Sequence, residues 1–327
     1  MMKKIFWIIL VIAMLFLLLL FSRKETTEQA TGFYMDTVVR MSVTGDAAPE
    51  WIASCKETFS YYDKLWSKTS KNGDIYRINH ANGQWVTVSH ETIALLKEAA
   101  VYHEISEKKF SIGIGALSAL WDYKKHTIPD EEAIENAKHT VKDECICIQG
   151  NRVRLTEKNM MLDLGAIAKG KITDIVAGKL REKGCKSALL DVGGNIYVLG
   201  EKKKNTSWCI GIRDPFQESG NYFSVVYIED MAVVSSGDYE REFSENGKQY
   251  HHIIDPSTGY PAQTDLRQAT ILHTKATDAD ALSTIVFMMG MQKGKEFLEK
   301  NEISGILVSK TGENVFVNCD LYMEDNE

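Results

Sequence analysis

The chain has little proline and no excess of basic residues, and both shortages limit what it can be. It contains 5 Pro and 23 Gly in 327 residues and is 44% hydrophobic. These proportions are typical of a globular protein and exclude a disordered or low-complexity chain. Its 38 Lys and Arg face 45 Asp and Glu, which gives a net charge of −7. Because nucleic-acid binding needs a basic surface that displaces counterions, this balance argues against a nucleic-acid partner.

The six cysteines form no C-x-x-C pair, which excludes a zinc site built from such pairs. Their scattered positions leave disulfides open in an oxidising compartment. Cys145 and Cys147 alternate within a predicted strand and therefore share one of its faces, which favours buried core thiols over a bridge or a ligand role.

The N-terminus carries a long apolar run. Ile5 to Phe21 are 17 consecutive apolar residues between two basic pairs, which predicts a membrane segment within residues 1–24. Its length fits either an uncleaved anchor or a signal segment. The bulky, charged residues after Phe21 offer no small-residue cleavage site, which favours an anchor. We therefore expect a cell-membrane protein whose remaining chain lies outside the cytoplasm.

After this segment, the sequence predicts a short polar linker at residues 25–31 and one α+β domain over residues 32–327. The segment FYMDTVVRMSV reads as a first strand, and further strands flank turns at residues 150–151 and 193–194, fill residues 208–234 and form a hairpin around Lys310. Helical spacing of apolar residues is found at Pro49–Trp66, His90–Ser106, Asp130–Lys138, Ile172–Glu182 and Asp278–Met289. No βαβ alternation, internal repeat or Pro/Ser-rich boundary divides the chain, so a single mixed domain is expected.

Two glycine-rich segments are candidates for nucleotide binding. LDLGAIAKGK places glycines and a lysine beside a helix start, where backbone N–H groups and an ammonium can approach phosphate oxygens. Neither this segment nor FSIGIGAL has the spacing of a P-loop or a dinucleotide fingerprint. Each alone fits a structural turn equally well.

A carboxylate and a hydroxyl form a second candidate. Asp280 and Thr284 lie four residues apart, so a helix would bring both to one face, where they could bind a hard cation such as Mg²⁺ together with backbone carbonyls. A helix cap by Asp278 or Asp280 is the other interpretation. The nearby turn-rich stretch that contains His251 and His252 favours a site, because a neutral histidine there could take a proton from an attacking hydroxyl.

Together, these segments resemble a known family. The set MDTVVRM, FSIGIGALSALW, LDLGAIAKG, LLDVGGNIYVLG, SSGDYEREF, HHIIDPSTGYP and DADALST runs in this order from Met35 to Thr284 and is similar to the ApbE family of FAD:protein FMN transferases. The resemblance implies a T-fold-like domain that uses FAD as substrate and Mg²⁺ as cofactor. It further implies transfer of FMN through a phosphoester bond to a Ser or Thr of an extracytoplasmic acceptor protein of a membrane redox system, with release of AMP.

The resemblance also implies the roles of individual residues. His252 matches the family's catalytic base. The metal ligands map to Asp280 and Thr284 and to backbone carbonyls of Ala166 and Ser283. The flavin-nucleotide contacts map to Met35, Thr69, Gly115, Ala116, Leu117, Asp163, Lys169 and Ile254.

The chain departs from the family pattern at several points. Asp36 stands where the family usually has glycine, Thr69 stands where an aromatic residue often stacks near the flavin, and Phe110–Gly113 lacks the family's acid and proline. The usual T-S-G begins with Ser235. These departures predict altered contacts to the flavin ring, whereas the metal and pyrophosphate motifs are intact.

Two other functions fit the same residues. An FAD pyrophosphatase would use the same metal site with water as the nucleophile and would give FMN and AMP. A membrane-tethered flavin-binding protein would bind FAD without turnover, but simple binding needs no base beside the metal ligands.

Overall fold

The computed structural model describes residues 25–218 and 220–320. Its strands are β1 (Thr26–Tyr34), β2 (Thr37–Gly45), β3 (Val86–Thr87), β4 (Ile146–Gln149), β5 (Arg152–Leu155), β6 (Ser187–Val192), β7 (Asn195–Leu199), β8 (Trp208–Arg213), β9 (Tyr222–Ile228), β10 (Met231–Gly237), β11 (Glu242–Glu245), β12 (Lys248–His251), β13 (Leu266–His273), β14 (Ser304–Ser309) and β15 (Asn314–Val317). Its helices are α1 (Ala48–Trp66), α2 (Asp74–Asn79), α3 (His90–Ile105), α4 (Gly115–Ser118), α5 (Glu131–Lys138), α6 (Ala168–Glu182), α7 (Ala276–Met289) and α8 (Met291–Lys300).

Eight strands form the central sheet in the order β1–β2–β6–β7–β10–β13–β14–β15, and each neighbouring pair is antiparallel. Both faces of its middle strands are covered. In β10, Ala232 and Val234 point into the main core with α1, α6 and α7, whereas Met231 and Val233 pack toward the β8–β9 hairpin. Because both faces of this part of β10 are buried, Met231–Val234 is continuously apolar rather than alternating. The expected single α+β domain is confirmed.

Most predicted elements are present, with shifted boundaries. The helices α1, α3 and α5 begin and end within one residue of their predicted bounds, and Asp130 caps α5 by accepting the Ala133 N–H at 2.8 Å. The helix α6 begins four residues earlier than predicted. Gly170 therefore lies inside α6 rather than in a turn before it. At this glycine α6 crosses α7 so closely that there is no room for a side chain.

The linker predicted for residues 25–31 is wrong. Thr26–Tyr34 form β1, which pairs along its whole length with β2. The predicted single strand FYMDTVVRMSV is also a hairpin, since Met35 and Asp36 form its turn with φ values of 51° and 55°. Within residues 25–218 and 220–320, no helix is long and apolar enough to cross a membrane. The predicted membrane segment, residues 1–24, lies outside this range.

The carboxylate of Asp143 holds the segment Phe110–Gly113, which itself contains no acid. Asp143, in a short 3₁₀ turn, accepts the backbone N–H groups of Ile112 and Gly113 at 3.0 Å each and also the Ser111 hydroxyl. The segment is therefore held by an acid from a distant part of the chain.

The close crossing of α6 and α7 gives a stability prediction. A Cβ added at Gly170 would lie 2.2 Å from the Ala276 carbonyl oxygen and 2.8 Å from Asp280 Cβ. We expect Gly170→Ala to lower the free energy of unfolding by about 1–3 kcal/mol, because the two helix backbones must separate. Denaturant unfolding measures the change.

Gly178→Ala in the same helix is the matched control. A Cβ there meets nothing within 4 Å, so alanine should raise stability by up to about 1 kcal/mol through helix propensity. Equal effects at the two positions would contradict the close crossing.

Candidate active site

Residues from widely separated segments line one cleft of about 730 Å³. Its walls are formed by the β1–β2 turn, the segment after α1, the loop before α6, the end of β10, the residues after β12, and α7. The predicted site residues that line it are Met35, Thr69, Asp163, Ala166, Lys169, His252, Ile254, Asp280 and Thr284. These six stretches, which are distant in the sequence, thus meet at one surface.

Asp163 is held as a carboxylate at the cleft wall. Its Oδ2 accepts from Lys68 Nζ at 2.6 Å and from the Ser118 hydroxyl at 2.7 Å, and its Oδ1 accepts the Gly165 N–H at 2.9 Å. Burial alone would raise the pKa of Asp163, but the Lys68 ammonium and these hydrogen bonds outweigh burial and lower it. A charged group therefore faces the cleft with its position fixed by three donors.

Asp280 lies inside α7 and is not its cap. The carboxylate of Asp174, from α6, accepts the Ala276 and Thr277 N–H groups at 2.7 and 2.9 Å and so caps α7. Asp280 is 3% exposed and turns toward the cleft. The helix-cap interpretation of Asp280 is therefore wrong.

Three donors orient the Asp280 carboxylate. Oδ1 accepts from Asn195 Nδ2 at 2.8 Å and lies 3.4 Å from Lys169 Nζ, and Oδ2 accepts the Gly170 N–H at 2.9 Å. A carboxylate offers about four lone-pair sites, so capacity for a cation remains. The lysine that the glycine-rich segment contributes thus lies directly beside this acid.

A cluster of hydroxyls adjoins Asp280 on α7. Ser236 Oγ lies 2.9 Å from Ser283 Oγ and 3.2 Å from Thr284 Oγ1. Ser283 is fully buried, and its hydroxyl donates to the Asp280 carbonyl at 3.0 Å. Thr284 presents its hydroxyl at the cleft wall, whereas the Ser283 side chain lies behind it.

The two adjacent histidines have different environments. His251 is buried, with its Nε2 3.1 Å from the Ala262 carbonyl and its Nδ1 accepting the Ile253 N–H, so both ring nitrogens are used. His252 faces the cleft, and its Nδ1 lies 3.1 Å from the Glu240 carbonyl. Because a carbonyl oxygen can only accept, Nδ1 carries the proton and Nε2 keeps a free lone pair.

The walls of the cleft keep His252 neutral. Desolvation within the cleft, followed by the positive charges of Lys169 and Arg241, lowers the pKa of His252 to about 3. The His252 side chain is exposed and lines the cleft. A neutral imidazole with Nε2 free is the form that can accept a proton.

The β1–β2 turn forms one rim of the cleft. The Met35 N–H donates to Asp63 Oδ1 at 2.8 Å, and the Asp36 carbonyl accepts from Arg241 at 2.9 Å. Aspartate tolerates the left-handed conformation that glycine favours, so Asp36 keeps this turn in place of the family's glycine. Thr69, which also lines the cleft, is exposed, and its Oγ1 lies 3.0 Å from Ser67 Oγ.

Gly115, Ala116 and Leu117 do not line the cleft. The Gly115 N–H donates to the Met161 carbonyl at 2.8 Å, and Leu117 is fully buried in a small core with Trp121 and Ile254. These residues of α4 support the wall that Ile114, Ser118 and Trp121 form.

Sequence reasoning missed four residues that shape the site: Lys68, Ser118, Asn195 and Arg241. Lys68 and Ser118 adjoin segments already singled out, but nothing in their spacing indicates that both meet Asp163. Arg241 follows the SSGDYE stretch, and Asn195 follows the glycine turn at residues 193–194. Only the folded chain brings them to the cleft.

The oxygen ligands at Asp280 suit a hard cation better than zinc. Within the described residues, no three His, Cys, Asp or Glu side chains come together as a metal cluster. Asp280, Thr284 and Ala166, which can offer oxygen ligands, all line the same cleft instead. Such a sparse oxygen set is typical of Mg²⁺, which often completes its coordination with water and substrate phosphates.

The cleft thus brings together an oriented carboxylate and a neutral histidine, which are groups expected in an enzyme active site. The ApbE family model matches residues 35–307. An FAD:protein FMN transferase from Klebsiella pneumoniae is 35% identical over 76% of this chain and 79% of its own length. Another from Treponema pallidum is 35% identical over 77% of this chain and 76% of its own length. The chain therefore belongs to the ApbE family.

Solved structures agree with this family assignment. The crystal structure of the ApbE protein from Thermotoga maritima has a TM-score of 0.84 and 28% sequence identity, and the match covers 92% of this chain and 100% of that one. The resemblance inferred from the motif order is confirmed.

Proposed function

We propose that this chain is a Mg²⁺-dependent FAD:protein FMN transferase that attaches FMN to a Ser or Thr hydroxyl of an acceptor protein and releases AMP. The observation that carries the proposal is His252, which is neutral, has its Nδ1 proton held by the Glu240 carbonyl and has Nε2 free. It shares one cleft with the Asp163–Lys68 pair and with Asp280. Family relatives named FAD:protein FMN transferase support the choice of substrate.

The proposed reaction is a displacement at the FMN-side phosphorus of FAD. His252 Nε2 takes the proton of the acceptor hydroxyl as its oxygen forms the new bond to phosphorus. The pyrophosphate bond to the AMP side breaks, and AMP leaves with the electron pair of that bond. The imidazolium then returns its proton to the AMP phosphate or to water, so atoms and charge balance.

The residues around Asp280 fit a divalent cation. Asp280, the Thr284 hydroxyl and the carbonyls of Ala166 and Ser283 would hold Mg²⁺. When bound, Mg²⁺ neutralises charge on the pyrophosphate oxygens. Lys169 adds a second positive charge next to Asp280, and Asn195 with the Gly170 N–H keeps the carboxylate oriented.

Intact mass of the acceptor tests the function directly. The chain is incubated with FAD, Mg²⁺ and a candidate extracytoplasmic acceptor, and AMP is measured in solution. A mass gain equal to FMN less one water, with one AMP released per adduct, is the expected result. AMP and free FMN with no adduct would instead indicate a pyrophosphatase, and FAD left intact with every acceptor would indicate a binding protein.

We also propose that residues 1–24 hold the enzyme at the cell membrane with its domain outside the cytoplasm. The apolar run Ile5–Phe21 supports this location. Its acceptor would then be an extracytoplasmic protein of a membrane redox system. Recovery of the full chain in the soluble fraction of lysed cells would contradict the anchor.

A further inference from the structure

The strand β1 forms an open edge of the central sheet. Within the described part of the chain, its nine residues pair with β2 alone. The two-residue turn at Met35–Asp36 makes Tyr34 and Thr37 a hydrogen-bonded pair, so the N–H and C=O groups of Thr31 and Phe33 point away from β2. Val38, opposite Phe33, agrees with this pattern because its carbonyl accepts the Gly193 N–H on the far side of β2 at 3.0 Å.

This edge lacks the features that usually protect edge strands. The β1 sequence TTEQATGFY contains no lysine and no proline, and its register with β2 is regular, without a bulge. The opposite edge of the sheet, β15, has only four residues. A long, regular and open edge is a template on which another strand can pair.

Apolar surfaces flank this edge on both faces of the sheet. Phe33 is 67% exposed on one face. On the other face, Tyr34 and Tyr61 line a groove of about 660 Å³, which Lys56, Glu57 and Lys64 also border. Since side chains alternate along a strand, an added strand would present its residues in turn to Phe33 and to this groove.

Both surfaces continue into the active-site cleft. Phe33 and Met35 at the end of β1 line the cleft, and Lys64 and Ser70 line both the groove and the cleft. A polypeptide bound along the edge of β1 would therefore reach the cleft that His252 lines.

We propose that the acceptor protein docks by adding an extended segment to the edge of β1, which delivers its Ser or Thr hydroxyl to the cleft. Backbone hydrogen bonds to β1 supply affinity, and apolar side chains against Phe33 and Tyr61, with acidic ones near Lys56 and Lys64, supply selectivity. This docking mode rests on the proposed transferase function and names how its protein partner is recognised.

Thr31→Pro, with Thr31→Ala as the matched control, tests the docking edge. Thr31 is exposed and its N–H points away from β2, so proline removes a docking donor without removing a bond of the β1–β2 ladder. Alanine removes the same side chain and keeps the N–H. The acceptor in this assay is a protein that is first identified in cells by its covalently attached FMN. The same protein is then produced without flavin and used as the substrate.

We expect Thr31→Pro to raise KM for the acceptor about tenfold, since one or two hydrogen bonds are lost. The KM for FAD and the rate at saturating acceptor should stay unchanged. Thr31→Ala should behave as the parent chain does. Equal KM values for the acceptor in the two variants would overturn the docking mode.

Three further results would count against the proposal in different ways. A changed KM for FAD would assign the end of β1 to the nucleotide instead. A dimer of the parent chain that Thr31→Pro dissociates in sedimentation would assign the edge to a second copy. Absence of an FMN adduct with the parent chain would remove the transferase function and, with it, this partner.

Discussion

Asp280→Asn is expected to abolish FMN transfer while the domain stays folded. The amide has nearly the size of the carboxylate, and its oxygen can still accept the Gly170 N–H that now lies 2.9 Å from Oδ2. The negative charge beside Lys169 and the hydroxyls of α7 is lost, and this charge is what would hold Mg²⁺. We expect AMP release to fall by about 10²–10³-fold, the scale on which removing one group that stabilises the transition state acts.

Asp280→Ala separates the metal role from the structural one. Alanine leaves Asn195 Nδ2 and the Gly170 N–H without their partner in a buried site, which should cost about 1–3 kcal/mol of stability as well as activity. Unfolding curves and AMP release are measured on both variants over a range of Mg²⁺ concentrations. Full activity in Asp280→Asn, with loss only in Asp280→Ala, would make Asp280 a structural residue.

His252→Ala is expected to slow FMN transfer by about 10²–10⁴-fold, the usual contribution of a general base, while FAD binds as before. His252 donates only to the Glu240 carbonyl, so its loss should leave the fold stable. His251→Ala is the contrasting variant, because both ring nitrogens of His251 bind backbone groups and its loss should lower stability. Single-turnover transfer, FAD titration and thermal unfolding on both variants check the assignment. Loss of FAD binding in His252→Ala would instead give His252 a structural role.

The pH dependence provides a separate check on His252. Desolvation within the cleft and the charges of Lys169 and Arg241 lower its pKa to about 3, from an ordinary value of 6.5. The ring is then already neutral at about pH 5, so protonation of His252 should not reduce transfer between about pH 5 and 8. Because the folded pKa lies below the unfolded one, the unfolded chain takes up the proton first as the pH falls below 6.5. The contribution of His252 to stability is therefore lost progressively below that pH.

Periodicity predicts a helix well where one of its faces is buried and the other is exposed. The helix α1, for example, buries Trp51, Cys55, Phe59 and Tyr62 at helical spacing. The linker error has the opposite cause. β1 is exposed over most of its length and buries no complete face, so Thr26–Gln29 carry no alternating pattern. Its existence depends on pairing with β2, which local composition does not encode.

Site residues could be predicted only where the local sequence of a segment marked them by residue type, spacing or family motif. Asp280 and Thr284 stood out by residue type and spacing and His252 by the family resemblance, and the structure brings all three to one cleft. The Lys68–Asp163 pair spans 95 positions and the Asn195–Asp280 bond spans 85. Such contacts follow from tertiary packing. The same packing places Gly115–Leu117 behind the wall although their motif resembles a binding loop.

The length of β1 has a consequence for the proposed membrane anchoring. Thr26 lies at one end of the strand and the turn at Met35, on the rim of the cleft, at the other. Nine residues at about 3.3 Å each separate these ends by roughly 30 Å. In a chain anchored through residues 1–24, β1 would act as a rigid spacer between the lipid and the reaction. An acceptor in the same membrane would then need a stalk or domain of matching height to present its hydroxyl.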